Sequence, residues 1–72
     1  MKGRITRLIS HEQSGVISAE DGVDYDFERF SLLGMTFAML SVGVQVTFVA
    51  NAITKRAVAV RFSPTGVGGK KG

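Results

Sequence analysis

The sequence predicts an all-β chain, a small barrel of five short antiparallel strands in Greek-key order. Three observations predict it. Five segments of strand length are rich in β-branched and aromatic residues. Polar or glycine turns separate the first three. One long uncharged connection precedes the last two. With 72 residues, the chain has room for a single small domain, near the lower limit for a self-sufficient core.

Residues 3–9 form the first predicted strand, with Ile5 and Leu8 as its core candidates. They differ in parity, so a bulge near Arg7 is needed to turn both inward. Ser10, His11, Glu12 and Gln13 make a polar turn into the second strand, 14–19, where Gly15 lets another backbone come close. Glu20-Asp21-Gly22 reads as a tight hairpin turn. The third strand, 23–28, alternates cleanly. Val23, Tyr25 and Phe27 share one face, and Asp24, Asp26 and Glu28 the other. Burying three carboxylates is costly, so the aromatic face is the core face.

Residues 31–54 carry no charged side chain, yet Thr36, Ser41, Gln45, Thr47 and Asn51 interrupt the run. Val42, Val44, Val46 and Phe48 follow strand spacing rather than that of a membrane helix. The segment divides into a loop or short helical turn, 31–41, and a fourth strand, 42–50. A fifth strand, 55–62, sets Ala57, Ala59 and Arg61 against Val58, Val60 and Phe62, and Pro64 ends it. The domain thus occupies 1–63, and the glycine-rich tail 64–72, with Lys70 and Lys71, is expected to be flexible. Five strands so connected are the OB architecture.

The net charge of +3 is mildly basic and permits contact with nucleic acid. Without cysteine there is no disulfide or thiolate metal site, which fits a cytoplasmic protein. No apolar run long enough for a signal peptide precedes Glu12, Glu20 and Asp21. The acidic residues from Glu20 to Glu28 lack the spacing of a calcium loop and read as a solvated turn and strand face. His11 is the only histidine, and no nucleophile is marked as activated beside it. We therefore expect no enzyme, metal or cofactor.

The order Gly3-Arg4-Ile5-Thr6-Arg7, Ser14-Gly15-Val16-Ile17-Ser18, Glu20-Asp21-Gly22 and Leu40-x-x-Gly43-x-x-Val46-x-Phe48 resembles a bacterial cold-shock domain. Ala57 and Val60 match its closing Ala-x-x-Val, so the resemblance spans about 3–60. The family's first base-stacking motif, Lys-Gly-Phe-Gly-Phe-Ile, meets Glu12-Gln13-Ser14-Gly15-Val16-Ile17 here, and its two phenylalanines fall on Ser14 and Val16. Its strand-one tryptophan falls on Arg7. Its Val-Phe-Val-His-Phe motif aligns in two registers. One puts Tyr25 and Phe27 in the core with Arg29 inserted. The other aligns Phe27, Arg29 and Phe30 with the Phe, His and Phe, and buries Asp26 and Glu28. Burial cost selects the first, and Phe30 remains an exposed ring in both.

The resemblance implies weak binding of single-stranded RNA or DNA with little sequence preference. Lys2, Arg4, Arg7, Lys55, Arg56 and Arg61 are the candidate phosphate contacts, and Phe30 the remaining stacking ring. Arg7 can also stack, its guanidinium being planar. The carboxylates of the third strand oppose this. The alternative is a protein-interaction module that has lost nucleic-acid binding. It would dock or self-associate through the apolar segment 30–40, chiefly Met35, Phe37 and Met39, which otherwise cap the barrel's open end.

Overall fold

The computed structural model describes residues 1–63, and the expectation for the 64–72 tail falls outside them. Five strands close into a barrel: β1 (Lys2–Ile9), β2 (Ser14–Ala19), β3 (Asp24–Glu28), β4 (Gln45–Asn51) and β5 (Arg56–Phe62). Their order around it is β1-β2-β3-β5-β4, with β4 returning to pair with β1. The architecture is the OB-like barrel expected. One seam differs from a wholly antiparallel barrel: β3 meets β5 in parallel, through Asp26 and Arg56. A second parallel bridge, Leu32 to Val60, continues the closure beyond β3.

The core holds Ile5, Ile17, Tyr25, Phe27, Val46, Phe48, Ala57 and Val60, with Ala19, Leu32 and Leu40 around them. Tyr25 and Phe27 are buried while Asp24, Asp26 and Glu28 face water, as the alternation requires. The Tyr25 and Phe48 rings meet at 5.6 Å and 57°, a tilted pairing.

The bulge anticipated near Arg7 is present. Ile5 lies opposite Ile17 but Arg7 lies opposite Val16, so an extra residue enters β1 between them. Its effect is twofold. Leu8 turns toward the core, and Arg7, which plain alternation would bury beside Ile5, stays outside.

The last two strands differ from the periodicity. β4 starts at Gln45 rather than Val42, because Ser41 to Val44 make a turn closed by the Val44 N–H on the Ser41 carbonyl at 3.2 Å. Val42 is exposed there. In β5 the alternation breaks, since both Ala57 and Val60 are fully buried. Ala59 adopts φ +54°, and the β4–β5 register slips by one residue, with Val49 opposite Val58 but Thr47 opposite Arg61. A bulge with its first residue in the left-handed region does this, and alanine occupies the place glycine usually takes.

Between β3 and β4 the chain makes two 3-10 turns, Arg29–Ser31 and Phe37–Met39. Met35 and Phe37 are half-buried against the core, whereas Met39 and Leu33 stay exposed. Among the described residues no helix is long and apolar enough to cross a membrane.

Gly43 stands in the turn into β4 at φ +98°, and a Cβ there would meet nothing within 4 Å. The constraint is therefore conformational rather than steric crowding. Gly43→Val is expected to lower stability by about 1–2 kcal/mol, the cost of forcing an L-residue into left-handed backbone. A melting curve identical to the parent's would mean the turn re-forms without positive φ.

Candidate nucleic-acid interface

The cations nominated from the sequence separate into two groups once the strands are in place. Lys2, Arg4 and Arg7 all lie exposed on the outer side of β1. The bulge brings Arg7 into this line, and from Lys2 to Arg7 the track is roughly 16 Å long at the rise of a strand. No ion pair with a described residue engages any of the three. Arg61 shares this freedom on β5.

Lys55 and Arg56 are differently placed. Arg56 pairs with Glu28 through Nη1 and Oε2. Lys55 sits at φ +59° in the β4–β5 turn, and its charge contributes to holding the Asp21 carboxyl below the usual carboxylate range. The larger causes of that shift are the Val23 N–H, which donates to Asp21 Oδ1 at 2.9 Å, and then the Tyr25 hydroxyl, which donates to Oδ2 at 2.8 Å. The same bond to Asp21 raises the Tyr25 phenol above its ordinary value. This network ties the β2–β3 turn to a core ring. It uses the Glu20-Asp21-Gly22 segment structurally. Of the two cations, Arg56 is engaged by Glu28, whereas Lys55 makes no ion pair with a described residue.

The registers give the neighbours of each free cation. Arg4 lies between Gln45 of β4 and Ser18 of β2, and Ser18 is next to Asp24 of β3. Arg7 neighbours Val16, then Asp26. Lys2 neighbours Thr47 of β4, and Thr47 neighbours Arg61 of β5. So β1 is a cationic strand with two unlike flanks. Across β2 lies the carboxylate row of β3, about 10 Å away at two strand spacings. Across β4 lies another cation.

Phe30 is 80% exposed, and the Arg29 guanidinium sits over its ring, 4.8 Å from the centroid. Arg29 also donates to Gln13 Oε1 at 3.0 Å, so ring and guanidinium stand beside the β1–β2 turn, at the far end of β1 from Lys2. A shallow depression there is lined by His11, Glu12, Gln13, Glu28, Arg29 and Phe30. On the outer faces of β2 and β3 there are Ser14, Val16, Asp26 and Glu28 and no aromatic side chain.

Sequence reading missed two features of this surface. Val49 and Val58 face each other across β4 and β5, both well exposed, and Ile53 at the tip of their hairpin is 92% exposed. The signal for Val58 was present in its alternation with buried Ala57, but the bulge at Ala59 disguised which face β5 turns outward. Among the described residues, no three His, Cys, Asp or Glu side chains converge to hold a metal ion. No protein-family model and no curated protein matches the chain.

Proposed function

We propose that this barrel is a cold-shock-like, cytoplasmic binder of single-stranded nucleic acid, weak and largely indifferent to sequence. One observation carries the reading: Lys2, Arg4 and Arg7 line the outer side of a single strand, unpaired by any described carboxylate. Spacing along a strand gives a linear array of phosphate contacts, which is what a backbone without duplex geometry needs. Phe30 under Arg29 offers one place for a base to stack. The lack of rings on β2 and β3 removes most of the stacking energy, on the order of 1–3 kcal/mol per base, so affinity rests on charge.

The test is a titration with a fluorescent oligonucleotide over a range of salt. The three contacts of β1 alone predict a slope of about −2 for log K against log salt, at about 0.7 per phosphate neutralised, and any further cation steepens it. A flat salt response, or no binding at low salt, would refute the reading. Salt-independent binding of a protein ligand would favour the second reading, a protein-interaction module. The exposed Val49, Val58 and Ile53 support that alternative better than the 30–40 segment does, because Met35 and Phe37 are drawn against the core.

A further inference from the structure

We infer that the bound strand crosses the barrel over β1, β4 and β5, turning away from β2 and β3; this rests on the nucleic-acid reading above and specifies its route. The cross-strand row Lys2–Thr47–Arg61 carries two cations flanking a hydroxyl, with no described carboxylate among its members. Beside it, Arg4 and Gln45 are cross-strand partners, and they line a shallow groove that Lys2, Thr6 and Ser18 also border. Glu20, on the rim of that groove, is held by the Lys2 backbone N–H at 3.3 Å. The opposite route meets Asp24 and Asp26, exposed and without a described ion-pair partner, and then the Glu28–Arg56 pair, in which the cation is already neutralised.

A second observation favours the same side. Beyond the bulge, the next outward pair on the β4–β5 ladder from Thr47 and Arg61 is Val49 and Val58, both exposed and apolar. Phosphates held on the cationic row leave bases free to cover those valines, gaining apolar burial. The β2–β3 face offers carboxylates at the corresponding places. The ligand on this route is recognised by its backbone charge and by unstacked base faces, which describes a single strand rather than a duplex.

Two single-charge substitutions, one on each flank of β1, distinguish the routes. Arg61→Gln on β5 and Asp26→Asn on β3 are compared for binding of a labelled oligo-dT of about 12 nucleotides, within the site sizes of OB barrels. Both side chains are exposed, and Lys2→Gln reads the same row should Arg61→Gln fail to fold. The expected result is a severalfold loss of affinity for Arg61→Gln at about 50 mM salt, with the salt slope reduced by about 0.7. Asp26→Asn should change affinity clearly less, with its slope kept. A gain for Asp26→Asn as large as the Arg61→Gln loss, or no loss for Arg61→Gln, overturns the route while leaving the nucleic-acid reading intact. Absence of binding by the parent protein overturns both.

Discussion

Gly15→Ala is expected to destabilise the barrel by about 1–3 kcal/mol or more, the range for overpacking a closely packed core. A Cβ at Gly15 would stand 2.7 Å from two carbons of the Phe27 ring and closer still to the Arg7 carbonyl oxygen. Real side chains essentially never come so near, and one obstacle is backbone, which cannot rotate away. For a domain of this size, whose core supplies roughly 3–5 kcal/mol, that loss is a large share of the whole. Chemical denaturation of parent and variant measures it. A double-mutant cycle locates it: in a Phe27→Leu background the added cost of Gly15→Ala should shrink, since the ring edge is gone. It should not vanish, because the Arg7 carbonyl stays. Strict additivity would show that glycine and ring do not interact.

Arg7→Ala should weaken single-strand binding about tenfold, equivalent to about 1.4 kcal/mol, if Arg7 both pairs with phosphate and lies flat on a base. Arg7→Lys should recover only part of the loss, because an ammonium keeps the charge but has no planar face. Full recovery by lysine would reduce Arg7 to a point charge. Stability should barely change in either variant, since Arg7 is exposed and makes no described ion pair. Melting curves run beside the binding assay therefore separate a lost contact from a lost fold.

Much of this fold was legible because its signals are local. The alternation of Tyr25 and Phe27 with three carboxylates set the face of β3. The unequal parity of Ile5 and Leu8 required a bulge, and the bulge is there. Gly43 announced a left-handed turn. The failures are also physical. Val42 and Val44 keep strand spacing up to that turn, so periodicity began β4 too early. The β5 bulge falls on Ala59, a residue that gives no notice of positive φ.

The candidate site was half legible. Its residue types were visible, but which cations stay free depends on pairings between distant segments. Arg56 meets Glu28 across 28 residues of sequence, and Lys2 reaches Arg61 only because β4 returns to β1. Nothing within a strand reports its neighbour.

The parallel seam has a kinetic consequence. β1, β2 and β3 form a meander joined by short turns, and β4 with β5 forms a hairpin. Each can assemble from nearby residues. The two parts meet along the β1–β4 ladder and at a single β3–β5 pair reinforced by the Leu32–Val60 bridge. Closure of that thin seam must wait for the intervening loop to be ordered, so it belongs late in folding. In the native protein it should also be the place of earliest local opening. Its amides, those of Asp26 on the Lys55 carbonyl and Leu33 on the Val60 carbonyl, would then exchange with solvent ahead of those inside the meander.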